Sequence, residues 1–385
     1  MNGAGPGLRR PSAVLMTADT VGGVWSYTLS LCRELAETRF IVATMGPPAR
    51  PEQRREIGAL GNVALVESGF RLEWMAGGIA DLPASRGWLA ALAERHDADL
   101  VHVNGYGHAR LDCALPTLVV AHSDVLSWWR AVHRCAAPAE WGDYRGAVVD
   151  GLDAAARIVA PGAAVIDDLS RHYGLDPARA DVIANGVDLA AFAPSPKRPV
   201  VMAAGRIWDP AKNLEILDRV AGALSWPVEI AGAVEHPEAG AARLVNARAL
   251  GRLSGGEMAS RLARAAIFAA PARYEPFGLA ILEAAAAGCA LVLGDIASLR
   301  ENWNGAALFV EPDDADGLRR TLARLIANPS ERSRLAASAR RRAGRFTADS
   351  MARAYAALYL STATHAAAPA AAPEPTGVAL SGEPR

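Results

Sequence analysis

The sequence has almost no net charge, few cysteines and no long hydrophobic run, and each absence excludes a class of protein. Its 40 Lys and Arg against 41 Asp and Glu give a formal net charge of -1, so no global positive field gathers nucleic acid or anionic membrane. The four cysteines are scattered, which is typical of core thiols in a reduced compartment. No segment reaches the ~18 apolar residues of a membrane-spanning helix. We therefore expect a cytoplasmic protein that does not bind nucleic acid.

The chain of 385 residues is too long for one ordinary core, and its pattern divides into two similar halves. In each half, short apolar segments alternate with helix-length segments, which indicates a parallel sheet covered on both faces. A polar, proline-rich stretch at 185–199 separates the halves. We predict an α/β protein with two doubly wound Rossmann-like domains. The predicted parts are a first domain at 1–190, a second at 191–345, a helix at 346–361 that returns to the first domain, and a disordered Ala/Pro-rich tail at 362–385.

Two strand-to-helix turns carry residues suited to phosphate. Gly22 and Gly23 follow the first predicted strand, where glycine lets a ligand approach the backbone and the helix N-terminus. The third glycine of a dinucleotide-binding fingerprint is missing, so an ordinary tight turn is the alternative. In AAGRIWDPAKN, Gly205 and Arg206 end a strand and Lys212 lies near the next helix. Two cations at one turn suit a diphosphate, and a solvated basic pair is the alternative.

The segment RYEPFGLAILEAAAAG, residues 273–288, places two glutamates around the start of an apolar helix. Pro276 breaks the preceding chain, Glu275 lies in the loop before the helix, and Glu283 falls in its second turn. A carboxylate in either place can accept paired hydrogen bonds from vicinal hydroxyls, as found on sugars and ribose. The alternative is that Glu283 only interacts with the positive end of the helix dipole.

These motifs, in their order and spacing, resemble the retaining family 4 glycosyltransferases of the GT-B fold. EPFGLAILE has the family's two glutamates with seven residues between them, and AAGRIWDPAKN resembles its Gly-Arg…Lys-Asn turn. IANGVDLAAFAP resembles the family's linker, VGGVW its first glycine turn, and VVAHSDV its strand that ends in an active-site histidine. The resemblance covers roughly residues 12–360 and implies two Rossmann-like domains that face each other across a cleft.

The resemblance also implies a role for each motif in binding a nucleotide-sugar donor. Arg206 and Lys212 would bind the donor's diphosphate in the turn that contains Gly205. Glu283 would hold the ribose, and Glu275 would contact hydroxyls of the transferred sugar. The other implied contacts come from the backbone of Phe277, Gly278 and Leu279, from the turn at Gly22 and Gly23, and from His122, which would reach a sugar hydroxyl from the first domain.

The implied reaction moves the sugar to a glycan, lipid-linked or small-molecule acceptor with retention of anomeric configuration. Fixed cations and helix N-termini can stabilise the departing diphosphate, so we expect no cofactor and no metal. The Asp-x-Asp pairs at 97–99 and 314–316 are interpreted as structural. The aromatic segment 123–144, with Trp128, Trp129 and Trp141, could stack on an acceptor sugar or simply pack its helices.

Contact with the periphery of a membrane is a further expectation. The arginines at 340–342 could touch anionic headgroups near a lipid-linked acceptor, or they could be a solvated helix C-terminus favoured by the helix dipole.

Two other functions stay open on the sequence alone. A nucleotide-sugar epimerase would need acid and base groups around the sugar, and only His122 and Glu275 are placed for that. A non-catalytic nucleotide-sugar-binding subunit would lack some donor-site residues, whereas every expected one is present. The motifs select no particular nucleotide, sugar, acceptor or oligomeric state.

Overall fold

The described part of the chain forms two parallel β-sheets flanked by helices. The computed structural model describes residues 11–235, 240 and 242–367. The strand pairs of both sheets run parallel. Each parallel pair needs a crossover connection, and the crossover helices cover the faces of the sheets. This doubly wound architecture confirms the predicted fold class.

The first domain is built on seven strands. They are β1 (Ala13–Asp19), β2 (Arg39–Met45), β3 (Val63–Glu67), β4 (Leu100–Val103), β5 (Thr117–Val120), β6 (Arg157–Ala160) and β7 (Ala180–Val182). The helices are α1 (Gly23–Glu34), α2 (Pro51–Gly58), α3 (Gly78–Arg95), α4 (Val125–His133), α5 (Gly142–Ala154) and α6 (Ala163–Tyr173). The spatial order is β3-β2-β1-β4-β5-β6-β7, so the direction of winding reverses between β1 and β4, where such sheets bind ligands.

The second domain is built on six strands. They are β8 (Arg198–Ala204), β9 (Val228–Ala231), β10 (Arg248–Gly251), β11 (Ala265–Ala270), β12 (Ala290–Gly294) and β13 (Leu308–Val310). The helices are α7 (Leu214–Ala221), α8 (Gly255–Arg264), α9 (Leu279–Ala286), α10 (Ala297–Trp303), α11 (Ala315–Ala327) and α12 (Pro329–Ala343). The order β10-β9-β8-β11-β12-β13 reverses between β8 and β11. The turn with Gly205 and Arg206 leaves β8 at this point.

Strand β1 shows why the strands appear as continuous apolar runs rather than as alternating patterns. Val14, Leu15 and Met16 are fully buried. Leu15 packs in one core with Val101, while Val14 and Met16 pack in another core with Trp25 of α1. Because helices cover both faces of the sheet, both sets of side chains leave water.

The last helix, α13 (Ala348–Ala367), packs against the first domain. Its residues Met351, Tyr355 and Tyr359 lie in the same core as Trp25 of α1. No described helix is long and apolar enough to cross a membrane.

The predicted start of the disordered tail, residue 362, is wrong because α13 continues to Ala367. Thr362 is 3% exposed, and its hydroxyl donates to Leu358 O over 2.7 Å. Alanine favours helix, and the first proline of the segment is Pro369. Residues 368–385 of the predicted tail lie outside the described residues.

The described part of the chain crosses between the domains at two places, and these crossings lie side by side. Val187 N donates to Phe346 O over 3.2 Å, and Ala348 N donates to Val187 O over 3.0 Å. Gly186 is buried at this crossing, where a β-carbon would lie 2.1 Å from Thr347 O. The absence of a side chain at Gly186 is therefore what lets the linker and the start of α13 meet.

We predict that Gly186→Ala lowers the free energy of unfolding by about 1–3 kcal/mol, because the new methyl group forces two backbone segments apart. Urea titration followed by circular dichroism measures the change. Gly146→Ala is the matched control, since Gly146 is an exposed position in α5 where a β-carbon meets nothing within 4 Å. The control should be neutral or stabilising by up to about 1 kcal/mol. Equal midpoints for Gly186→Ala and the wild type would contradict the close crossing.

Candidate active site

The glycine turn of the first domain faces the predicted diphosphate turn of the second. A β-carbon on Gly22 would lie 3.1 Å from Arg206 Nη1. One on Gly23 would lie 3.4 Å from Leu279 Cδ1, at the start of α9. Three motifs that are far apart in the sequence therefore meet at one point of the cleft.

Arg206 is oriented by a buried aspartate. Its Nη2 and Nε donate to Asp209 Oδ2 over 2.5 and 3.2 Å, and its guanidinium lies 5.3 Å from the centre of the Trp208 ring. The arginine side chain stays 35% exposed, whereas that of Asp209 is 2% exposed. Burial raises the pKa of Asp209, but the charges of Arg206 and Lys212 outweigh it and leave the pKa below its usual value.

Asp209 also joins the two domains. Its Oδ1 accepts hydrogen bonds from Ala211 N over 3.0 Å and from the indole N–H of Trp128 over 3.1 Å. Trp128 lies on α4 of the first domain, so its indole N–H joins the first domain to Asp209 of the second domain.

Trp141 packs edge-on against Tyr144, with ring centres 5.8 Å apart, beside the core of the first domain. The packing interpretation of this aromatic segment is the one that the structure favours.

Lys212 and Glu275 form an ion pair. Lys212 Nζ lies 2.7 Å from Glu275 Oε2, and the two side chains are 18% and 19% exposed. The backbone oxygen of Glu275 accepts a hydrogen bond from Ser298 Oγ over 2.7 Å. Two residues predicted for different parts of the donor thus lie in direct contact.

The start of α9 depends on Gly278. This residue caps the helix with a φ of +90°, and a β-carbon there would lie 2.7 Å from Ile281 Cδ1. Phe277 is 4% exposed and packs on Phe346 with ring centres 5.6 Å apart. The Phe277 side chain therefore belongs to the core, which leaves only its backbone for a ligand.

Glu283 lies on α9 without a side-chain partner among the described residues, and its side chain is partly exposed. Burial raises the pKa of Glu283 to about 7. A carboxylate without an internal partner keeps its acceptor capacity for the hydroxyls of a ligand.

His122 follows β5, at the carboxyl edge of the first sheet. Its Nε2 lies 2.8 Å from Asn104 Oδ1, and the edge of the Tyr27 ring packs on it at 4.7 Å. Burial lowers the pKa of His122 to about 4. The imidazole is therefore neutral near pH 7 and acts as a hydrogen-bonding group rather than as a cation.

Three polar residues of this region were missed from the sequence, namely Asp19, Asn104 and Asp209. Asp19 ends β1, and its Oδ1 accepts from Val21 N over 2.9 Å. Burial raises the pKa of Asp19, while the Val21 N–H and the charge of Arg206 oppose the rise. Asn104 follows β4. β1 and β4 lie on either side of the point where the winding of the first sheet reverses. Polar residues at the carboxyl ends of such strands are expected near a ligand, so their position in the sequence could have indicated Asp19 and Asn104.

One aspartate of each Asp-x-Asp pair holds nearby backbone, which agrees with the structural interpretation of Asp99 and Asp314. Asp99 Oδ2 accepts from Ser12 N over 2.6 Å, and Asp314 Oδ1 caps α11 by accepting from Gly317 N over 2.8 Å. Within the described ranges, no group of three or more His, Cys, Asp and Glu side chains is arranged to hold a metal ion.

Two family models match the chain, one over each domain. The model described as glycosyltransferase family 4 matches residues 21–191, and the model described as glycosyl transferases group 1 matches residues 198–328. The chain belongs to glycosyltransferase family 4. The family resemblance seen in the motifs is thereby confirmed.

Curated relatives of the chain include an α-maltose-1-phosphate synthase of Mycobacterium tuberculosis. It is 29% identical over 229 residues, which cover 49% of this chain and 58% of the relative. A D-inositol 3-phosphate glycosyltransferase of Salinispora arenicola is 31% identical over 235 residues, which cover 50% of this chain and 52% of that protein. The chain thus spans about half the length of the curated relatives it matches.

Solved structures resemble the chain over almost its whole length. Sucrose-phosphate synthase from Thermosynechococcus elongatus aligns with a TM-score of 0.76 at 18% identity, covering 93% of this chain and 100% of the other. HepE of Anabaena, solved in complex with UDP-glucose, aligns with a TM-score of 0.72 at 18% identity, covering 91% and 99%. These similarities confirm the predicted GT-B fold.

We predict that Glu283 makes the stability of the protein pH-dependent. Its folded-state pKa of about 7 exceeds the ordinary value of 4.5, so the stabilisation from its bound proton is complete below pH 4.5 and is lost as the pH rises through about 7. The variant Glu283→Gln cannot ionise and serves as the reference. Relative to it, the free energy of unfolding of the wild type should fall by about 1–3 kcal/mol between about pH 5 and about pH 8, a range that allows for the partial exposure of Glu283. Urea unfolding of both proteins across this pH range measures the difference. Free energies of unfolding that change equally with pH in the two proteins would contradict the prediction.

Proposed function

We propose that the protein transfers a glycosyl group from a nucleoside diphosphate sugar to an acceptor hydroxyl with retention of the anomeric configuration. The observation that carries this proposal is the meeting of Arg206 and Lys212 at the reversal of the second sheet, opposite the glycine turn of the first. In a chain whose net charge is -1, this is a local cationic site that suits a diphosphate.

In this proposal the diphosphate binds both cations, taking the place of Glu275 on Lys212 while buried Asp209 continues to hold Arg206. Without a donor, Arg206 binds Asp209 and Lys212 binds Glu275. These carboxylates orient the two cations in advance, so little ordering is needed when the phosphates arrive. Gly22 and Gly23 leave room for the phosphates because a side chain there would approach Arg206 and Leu279.

The proposed chemistry depends on charge that develops as the sugar leaves the diphosphate. Negative charge grows on the departing phosphate, where Arg206, Lys212 and the start of α9 stabilise it. Two fixed cations supply this stabilisation from the protein itself, and we propose that no metal takes part. Glu275 accepts hydrogen bonds from the transferred sugar. Its ion pair with Lys212 favours a binding role over attack on the anomeric carbon.

Glu283 holds the nucleotide's ribose in this proposal, and the acceptor approaches from the first domain. The unpartnered carboxylate of Glu283 can take both ribose hydroxyls. The acceptor is a glycan, a lipid-linked molecule or a small molecule that carries a free hydroxyl. The names of the relatives include a glycosyltransferase for inositol 3-phosphate and one for phosphatidyl-myo-inositol, so free and lipid-linked polyols are the acceptors to test first.

The function is tested by incubating the protein with UDP-, GDP-, ADP- and TDP-sugars, with and without EDTA, and measuring released nucleoside diphosphate. One donor should be turned over in both conditions, by transfer or slow hydrolysis. Arg206→Ala and Lys212→Ala should each lose about 2–4 kcal/mol of transition-state stabilisation, roughly a 30- to 1,000-fold drop in rate. Arg219→Ala is the matched control, because Arg219 is an exposed cation on α7 paired with Glu215.

Other outcomes of this assay contradict specific parts of the proposal. A new sugar isomer with an intact diphosphate would indicate an epimerase. A donor-dependent rise in melting temperature without turnover would indicate a binding subunit. Loss of activity in EDTA that divalent ions restore would overturn metal independence, and wild-type rates in Arg206→Ala or Lys212→Ala would remove the diphosphate assignment.

We predict that the two glutamates affect different kinetic parameters. Glu283→Ala should mainly raise the donor KM and weaken binding of the free nucleoside diphosphate, because ribose contacts are equal in the ground and transition states. Glu275→Ala should lower kcat and leave nucleoside diphosphate affinity nearly unchanged. Calorimetry and steady-state kinetics on both variants measure the split. Equal losses of nucleoside diphosphate affinity in the two variants would contradict these roles.

A further inference from the structure

Two hydrogen bonds join helix α4 of the first domain to the second domain. At the N-cap of the helix, Asp124 N donates to the Tyr274 hydroxyl over 3.2 Å. One turn later, the indole N–H of Trp128 donates to Asp209 Oδ1 over 3.1 Å. The residues of these pairs are 150 and 81 positions apart in the sequence. The start of α4 is therefore held against two separate turns of the second domain.

The end of α4 makes a third contact of a different kind. Arg134, the C-cap residue, forms an ion pair with Asp313. The side chains of Arg134 and Asp313 are 71% and 43% exposed, and an ion pair in contact with water contributes little to stability. Asp209, in contrast, is 2% exposed. The hydrogen bond from Trp128 therefore binds a buried charge and is the stronger of these two contacts.

The partners of α4 hold or adjoin the proposed donor-binding groups. Asp209 binds Arg206 through its other carboxylate oxygen, over 2.5 and 3.2 Å. Tyr274 directly precedes Glu275, whose backbone oxygen is held by Ser298 Oγ over 2.7 Å. Contact with α4 therefore places the first domain against the same two turns that carry the cation and the carboxylate of the proposed donor site.

Tyrosines of the first domain bind the start of α4 as well. Val125 N donates to the Tyr144 hydroxyl over 3.3 Å, and Leu126 N donates to the Tyr173 hydroxyl over 3.4 Å. The first N–H groups of a helix have no intrahelical partners, and here tyrosine hydroxyls accept from three of them in succession. Among these three tyrosines, Tyr274 is the one that comes from the second domain.

We propose that Trp128 and Tyr274 are positioning residues, whose hydrogen bonds fix the first domain on the turns that carry Arg206 and Glu275. They thereby set where an acceptor bound to the first domain meets the sugar of the donor. The inference rests on the proposed function for the identity of these two ligands. Neither residue needs to touch a ligand, because each acts by joining the two domains.

Loss of one of these hydrogen bonds should weaken the interface without separating the domains. The domains also meet at α6, where Ala163 N and Ala164 N donate to the Glu301 carboxylate over 2.8 and 3.0 Å. Tyr274→Phe removes only a hydroxyl, and Trp128→Phe keeps an aromatic ring in place of the indole. Melting temperatures of both variants serve as a check on folding.

The first test measures amide hydrogen exchange by NMR in the full chain without a donor. Tyr274→Phe should raise the exchange rate of the Asp124 amide, because its acceptor is removed. Trp128→Phe should raise the same rate about 3- to 10-fold, the loss expected for one hydrogen bond, because a weaker interface exposes that amide more often. The Leu126 amide, whose acceptor lies in the first domain, should stay within about twofold in both variants.

Trp141→Phe and Tyr144→Phe are the matched controls. The Trp141 indole N–H has no hydrogen-bond partner among the described residues, so its removal breaks no polar contact. Tyr144 binds the start of α4 as Tyr274 does, but it lies in the same domain as α4. Both controls should leave the exchange rate of the Asp124 amide within about twofold of the wild type.

Kinetics supply the second readout. Trp128→Phe and Tyr274→Phe should each lower kcat about 10- to 100-fold, since a displacement of about 1 Å at the reacting groups can cost 100-fold. Affinity for the nucleoside diphosphate of the accepted donor, measured by calorimetry, should stay within about twofold because Arg206 keeps its contact with Asp209. The two controls should remain within about twofold of the wild type in both parameters.

Four outcomes would overturn the inference. Two concern exchange: equal rates for the Asp124 amide in Trp128→Phe and Trp141→Phe, or an equal rise at the Asp124 and Leu126 amides, which would indicate local fraying of α4. Two concern kinetics: kcat values equal to those of the controls, or a loss of nucleoside diphosphate affinity as large as the loss of kcat.

The exchange readout needs no donor, so failure of the proposed function is distinguishable from failure of this inference. If no sugar is transferred but exchange at Asp124 still follows Trp128, the transfer assignment fails and the alignment of the two domains by α4 stands.

Discussion

The site depends on one constraint: loops that leave the carboxyl ends of parallel strands all emerge at the same edge of their sheet. In the first domain this edge carries Gly22 after β1, Asn104 after β4 and His122 after β5. In the second it carries Arg206 after β8 and the segment around Glu275 after β11. The two edges face each other, since a side chain on Gly22 would approach Arg206. Loops from distant parts of the sequence thus become the two walls of one cleft.

The positive charge of this cleft is local and does not come from the total charge of the chain. The chain is almost neutral, yet Arg206 and Lys212 lie together and each binds a carboxylate. Asp209 is buried and shared with Trp128, so it stays with the protein and orients Arg206. The Glu275 side chain is 19% exposed, whereas that of Asp209 is 2% exposed. The two carboxylates that hold the cations therefore differ in their access to solvent.

Helix α13 follows the second domain in the chain, but it packs on the first domain and stabilises it. Tyr355 and Tyr359 fill the core beside Trp25, and Tyr359 reaches His102 through its hydroxyl. A helix that arrives from the second domain therefore contributes to both the packing and the polar network behind the cleft. The close backbone contact at Gly186 fixes where this helix begins.

The sequence by itself determined the two-sheet α/β fold, the glycine and carboxylate turns, and the family. Apolar runs such as Val14–Met16 and turns such as the one at Gly278 follow from local chain properties that a short window of residues already contains. α13 extends to Ala367, beyond the predicted start of the tail, because an alanine-rich segment ahead of Pro369 can still form helix. Only the tertiary structure decided that Trp128 binds Asp209, that Lys212 binds Glu275, and that Tyr359 binds His102. The residues of these pairs are 81, 63 and 257 positions apart in the sequence. Their contacts depend on how the two sheets and α13 are placed in space. A local sequence pattern does not contain this placement.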